Sequence, residues 1–254
     1  MWCVIMSRYQ QLQINSCCSL HRLYGASTNS FTVESKSFTS DVLLNENNRQ
    51  RCMKAMKQTP PVAIKRRGTN MENAFASVLI AICTNEQLQN PSLLYTRRSR
   101  MLSRHMSQIS FPGGIKEENE DFIQCALRET EEEIGLKSNR IDIWGTGSLL
   151  TPPHTAAIMP VVGVINHFRA NELKLNEAEV DECFTITFED LCHPSALGYT
   201  QFKSGYSTPV FRVGNKRIWG ITGFLTNIFL NCFLPPHLNQ LKGRVKFIKP
   251  IRYS

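Results

Sequence analysis

The chain has 254 residues and a hydrophobic content of 42%, enough apolar material for a packed core and too much for a globally disordered chain. Its formal charge is +8, but residues 1–70 carry 10 Lys/Arg against 3 Asp/Glu and residues 235–254 carry 5 against none, so the middle of the chain is acidic. With the basic excess at the ends, a folded part built around a nucleic-acid face is disfavoured as the main design.

Residues 1–33 contain Arg8 and Arg22, are rich in serine, and hold no acid before Glu34. That composition predicts a mitochondrial transit segment, because positive charge responds to a matrix-negative potential. Residues 34–70 read as a polar, partly helical lead-in, and the periodic, foldable part is expected to begin near Glu72 and run to about residue 234. Residues 235–254 form a basic tail. Strands are predicted at Ala76 to Cys83, Leu93 to Thr96, Ile158 to Ile165, Cys183 to Thr187 and Pro209 to Val213. One helix is predicted from about Asp121 to Ile134, stopped by Gly135, and another over Ile221 to Phe233. Strands with two long helices imply an α/β fold, a mixed sheet covered by helices on both faces.

Nine cysteines lack the paired short spacings of a zinc clip, and Cys192-His193 has no matching second pair. They read as small hydrophobes in a reducing compartment. The most apolar run, Ile218 to Leu234, is interrupted by Gly220, Thr222, Gly223, Thr226, Asn227 and Asn231, so a buried helix and a protein without a membrane span are expected. His105 and His154 receive no catalytic role.

The chemistry is concentrated in the helix that begins near Asp121. At 100° per residue, Ile123, Leu127, Thr130 and Ile134 fall on one buried stripe. Glu129, Glu132 and Glu133 fall together elsewhere, at the i, i+3, i+4 spacing that brings side chains into contact, with Arg128 four residues before Glu132. Like charges at this spacing cost about 0.2–0.5 kcal/mol per pair on an exposed helix. A hard divalent cation would offset the cost, since magnesium takes carboxylate oxygens, keeps waters and accepts substrate phosphates as ligands.

Gly114, Glu120, Arg128-Glu129, Glu132-Glu133 and Gly135-Leu136 form a 23-residue pattern that resembles the Nudix box at every charged and glycine position. The resemblance implies an α/β/α sandwich in which Glu129, Glu132 and Glu133 bind Mg²⁺ or Mn²⁺, with a carbonyl of Gly113 or Gly114 as a further ligand. It also implies that Arg128 orients the carboxylates and that Glu120 ties the loop to the helix. Upstream, Leu94-Tyr95-Thr96-Arg97-Arg98-Ser99, then Arg100, Arg104 and Ile109-Ser110-Phe111-Pro112-Gly113-Gly114, resemble the coenzyme A diphosphatase branch of that family. Ser103 and Ser107 stand where that branch carries Arg and Gly. Glu179 to Glu182, Gly198 to Thr200, Thr208 to Phe211 and Arg217 to Thr222 resemble the mitochondrial type of that branch. What this implies is a small nucleotide substrate of coenzyme A type. Arg97, Arg98 and Arg104 would grip its anionic end by forked hydrogen bonds, and Glu182 would serve as an extra metal ligand or base. The competing expectations are a Nudix pyrophosphatase for ADP-ribose or a nicotinamide dinucleotide, and a nucleotide-binding protein with an idle box.

Overall fold

In the computed structural model the described residues are 38–60, 74–85, 88–101, 107–152, 155–201, 207–239 and 241. The transit segment expected at 1–33, Arg104, His105, His154 and most of the basic tail lie outside them. The elements in order are α1 (Ser40–Leu43), α2 (Glu46–Gln58), β1 (Phe75–Asn85), β2 (Leu88–Arg98), β3 (Ile109–Ser110), β4 (Gly113–Ile115), α3 (Phe122–Ile134), β5 (Ile141–Thr146), β6 (Ala157–Ile165), β7 (Val180–Thr187), α4 (Phe188–Cys192), β8 (Leu197–Gln201), β9 (Ser207–Val213), β10 (Lys216–Ile218) and α5 (Gly220–Phe233).

Seven strands form a mixed sheet along the path β3-β2-β1-β6-β5, with β4 paired to β1 and β7 paired to β2. β1 and β6 run parallel through its centre, from Phe75 opposite Ala157 to Cys83 opposite Ile165. Both strands read as nearly continuous apolar runs because both of their faces are covered. Leu79, Ala81 and Cys83 of β1 point to one face, where α3 supplies Ala126 and Ile134. Ile80 and Ile82 point to the other, where α2 supplies Cys52, Met53 and Met56 and α5 supplies Phe229 and Phe233. The helices therefore cover both faces, which is the α/β/α sandwich expected from the sequence. A separate three-stranded sheet, β10-β9-β8, stands beside it, and no helix among the described residues is long and apolar enough to cross a membrane.

Two segments outside the expected 71–234 domain pack on its core. The segment read as a lead-in includes α2, whose buried Cys52, Met53 and Met56 join the core. Its arginines lock it down. Arg51 donates to the Phe233 carbonyl at the end of α5 at 2.5 Å, and Arg49 donates to the Ile143 carbonyl at 3.1 Å while lying over the Trp144 ring. The helical lead-in expected here reads as polar because its arginines place their heads on backbone carbonyls while their stems cover apolar surface. At the other end the core extends past 234, to the buried Leu238 and Leu241.

Candidate active site

Helix α3 begins with a capping box. Asp121 accepts from the Ile123 and Gln124 N–H groups at 2.8 Å each, and the Gln124 side chain accepts from the Asp121 N–H at 2.7 Å. It ends at Gly135, whose φ of +72° is the left-handed conformation that a glycine adopts without a side-chain penalty. The spacing between those stops sets which side chains face the sheet. The buried positions are Cys125, Ala126, Thr130, Glu133 and Ile134. Ile123 and Leu127 are only partly buried, so the apolar stripe lies rotated from the one expected, and Glu133 falls inside it. The rotation follows from what the sheet offers: Ala126 and Thr130 are small enough to let the helix approach closely. Thr130 satisfies its hydroxyl on the Ala126 carbonyl at 2.6 Å.

The three box glutamates thus occupy three environments. Glu132 is exposed, Glu129 is half-buried, and Glu133 is only 3% exposed. Arg128 ties the first two and the loop together. Its guanidinium meets Glu120 at 2.8 Å, Glu129 at 3.0 Å and Glu132 at 2.9 Å, and it donates to the Ile115 carbonyl at 3.1 Å. Glu120 also accepts from the Glu117 N–H at 2.9 Å, so loop and helix are joined through one carboxylate. The Arg128 hydrogen bonds hold the Glu120 carboxyl down at about 2. Glu131 points away and pairs with Lys137 at 2.5 Å.

Burial raises the Glu129 carboxyl, against the neighbouring Arg128, with Glu132 and Glu179 adding to the rise. Burial raises Glu133 further, to about 8, where the Arg98 charge and a hydrogen bond from the Gly113 N–H oppose it and Glu129 and Glu179 reinforce it. Glu179, on the loop entering β7, is therefore a fourth acid whose charge acts on the same carboxylates. The sequence reading passed over it in favour of Glu182.

Strand alternation places Glu182 away from the box. Cys183 packs on the α3 side of the sheet, and Phe184 and Ile186 pack on the α5 side. Glu182 shares the parity of Phe184, on the side away from the box. There both of its oxygens are engaged, one by Arg97 at 2.9 Å and one by Lys216. Arg97 is thus committed to Glu182, Arg100 to Asp181 at 3.3 Å, and Arg98 alone of the three faces α3. Alternation along β7 carries this much of the answer; Glu179 lies before the strand and beyond the register slip at Asp181, where alternation no longer assigns a face.

Among the described residues no group of three or more His, Cys, Asp or Glu side chains is arranged to hold a metal ion. The donor set nevertheless suits a hard cation that retains waters and waits for substrate oxygens. Two observations support the fit. Glu133 Oε2 is buried without a hydrogen-bond partner. A Cβ on Gly114 would come within 2.4 Å of the Glu129 carboxylate, so the glycine leaves that carboxylate room beside the loop backbone. The described cysteines, by contrast, are free thiols; burial raises the best placed of them, Cys125, to about 12, which suits packing and not ligation.

Residues 74–204 match the NUDIX domain model. The mitochondrial coenzyme A diphosphatase NUDT8 of Mus musculus is 34% identical over 198 residues, covering 76% of this chain and 90% of the relative. Its Homo sapiens counterpart is 36% identical over 168 residues, covering 64% and 70%. Among solved structures, the MutT protein from Methanosarcina mazei aligns with a TM-score of 0.42 at 17% identity, covering 64% of this chain and 96% of that one. Nudix enzymes generally act on small nucleotide substrates with divalent metal ions. The chain belongs to the Nudix family, as a diphosphate-cleaving hydrolase similar to the mitochondrial coenzyme A diphosphatases.

Proposed function

We propose that this enzyme hydrolyses the diphosphate of coenzyme A or its acyl thioesters, giving adenosine 3′,5′-bisphosphate and 4′-phosphopantetheine or its acyl form, in the mitochondrial matrix. The observation that carries the reading is the box itself: Arg128 joins Glu120, Glu129 and Glu132 while Glu133 keeps a buried, unpartnered oxygen beside them. The substrate branch is supported by the names of the relatives and by the stretch from Leu94 to Gly114.

Glu129, Glu132 and Glu133 would hold Mg²⁺ or Mn²⁺. The bound cation would neutralise phosphoryl oxygens and make a water acidic enough to attack at neutral pH. Arg128 keeps Glu129 and Glu132 aimed at one place, and Glu120 fixes Arg128 to the loop. In this reading Glu179 accepts the proton of the attacking water, since its charge acts on both Glu129 and Glu133 and no ion pair engages it among the described residues. Glu182 takes neither role, because Arg97 and Lys216 already neutralise it on the other face. Arg104 is the arginine of the upstream stretch assigned to the 3′-phosphate.

Product analysis tests this. Purified protein is incubated with coenzyme A, dephospho-coenzyme A, ADP-ribose and NADH, with and without Mg²⁺ or Mn²⁺, beside Glu132→Gln. Metal-dependent release of 4′-phosphopantetheine, lost in the variant, is the expected result. Cleavage of ADP-ribose or NADH alone would keep the hydrolase and remove the coenzyme A assignment. An Arg104→Gln protein should lose its preference for coenzyme A over the dephospho form.

A further inference from the structure

No Asp or Glu follows Asp190. Residues 191–254 carry 9 Lys/Arg against none, and residues 1–190 carry 20 against 21, so the whole positive excess lies after the main sheet is complete. The small sheet and α5 belong to this acid-free part. Strand alternation sorts its charges. On β10, Lys216 turns inward to Glu182 of the main sheet, and Ile218 joins the core together with Phe211 of β9. Arg217 stands between Lys216 and Ile218 and therefore points to the other face. The register places it directly opposite Arg212 of β9, and both arginines are exposed. Trp219, two residues on, is 37% exposed, and the Arg217 guanidinium lies over its ring, 5.5 Å from the centroid.

Like charges directly opposite on neighbouring strands repel, and among the described residues no ion pair engages Arg212 or Arg217. Folding gains nothing from placing them together, whereas an anionic partner outside the chain would offset their repulsion. Two guanidinium forks suit phosphate oxygens. An indole with a cation on its face and part of its ring open to solvent suits the boundary between water and hydrocarbon. We propose that the outer face of the β9–β10 hairpin, formed by Arg212, Arg217 and Trp219, docks the enzyme on an anionic phospholipid bilayer. The arginines take headgroup phosphates, and Trp219 sits at headgroup level. A nucleic acid is the less apt polyanion, because a single indole offers no row of stacking platforms along a strand. Attachment is peripheral and reversible, since two cations and one indole supply far less than a spanning helix. This face turns away from the main sheet, so the proposal does not depend on which diphosphate the enzyme cleaves.

The test is co-sedimentation of the full chain with vesicles of phosphatidylcholine alone and of phosphatidylcholine mixed with phosphatidylserine. Wild type is compared with the double variant Arg212→Gln, Arg217→Gln and with Trp219→Leu. Wild type should sediment with the anionic vesicles only and be released as salt rises. The double variant should bind them roughly 30-fold more weakly, the contribution of two basic side chains at an anionic surface. Its melting temperature should be no lower than wild type, because an opposed like-charge pair has been removed. Trp219→Leu should weaken binding by several-fold with the salt dependence kept. The basic tail is the same in every variant and contributes equally to each. Equal binding to both kinds of vesicle, sedimentation with neither, or wild-type binding by the double variant would overturn the proposal. So would capture of a single-stranded oligonucleotide in place of vesicles, lost in the double variant. Should the double variant fail to fold, Arg212→Gln alone decides, since it leaves the Arg217–Trp219 stack in place: binding about fivefold weaker supports the proposal, and wild-type binding overturns it.

Discussion

The two faces of the main sheet treat charge in opposite ways. On the α5 side, Glu182 has both oxygens engaged by Arg97 and Lys216, and Lys216 also lies 4.2 Å from the Phe184 ring centroid. On the α3 side, Glu133 is more deeply buried than Glu182, yet one of its oxygens has no partner, and Glu129 and Glu179 crowd it with like charge. Folding alone favours the first arrangement, since a buried charge is expensive unless paired. A carboxylate kept buried and incompletely paired is the pattern of a site that holds a ligand or does chemistry.

The largest expected break in this comparison comes from the unpaired side. Glu133→Gln should lower turnover by about 10³ or more, the scale of losing a key electrostatic group, while raising the melting temperature of the metal-free protein. Rates and thermal melts in chelator measure both, and a fall in melting temperature would contradict the unpaired reading. Gly114→Ala should follow, at about 10² in rate, because its Cβ would overlap the Glu129 carboxylate. Crystallography or metal titration would show Glu129 displaced.

The pH dependence of stability separates the two kinds of acid. Glu133 binds its proton more tightly folded than unfolded, with its carboxyl near 8. In metal-free protein its contribution is complete below about pH 4.5, the ordinary glutamate range, and is lost as the pH rises through 8. Glu120 has the opposite sign: held at about 2 by Arg128, it stabilises above the ordinary range and ceases to do so as pH falls through 2. Chemical denaturation across this range should show the first trend vanish in Glu133→Gln. The smallest effect belongs to the paired face. Glu182→Gln should cost no more than about 1 kcal/mol, because the ion pairs are partly exposed, and should leave turnover within a few-fold. A large rate loss there would restore Glu182 to the catalytic set.

Much of the molecule was legible because its signals are local. The strands β1, β6 and β9 and the two long helices follow from apolar runs and stop signals a few residues apart. Short edge elements such as β3, β4 and β10, of two or three residues, leave no pattern to read. For α2, helical character was legible but its place in the core was not. Its polarity is real, and only the carbonyls of Phe233 and Ile143 show what its arginines are for.

By itself the sequence determined the box helix, its Asp121 and Gly135 ends, the angular spacing of Glu129, Glu132 and Glu133, and the family to which that spacing belongs. These depend on residues within a few turns of one another, where helix geometry leaves little choice. Only the tertiary structure decided which glutamate is buried and which acid beyond the helix lies near it. Those outcomes depend on how α3 packs on the sheet, with Ala126 and Thr130 buried against it, and on the loop before β7, where the Asn176 N–H donates to the Glu133 carbonyl at 2.9 Å. Both arise from contacts between segments distant in the chain, and no local rule of spacing contains them.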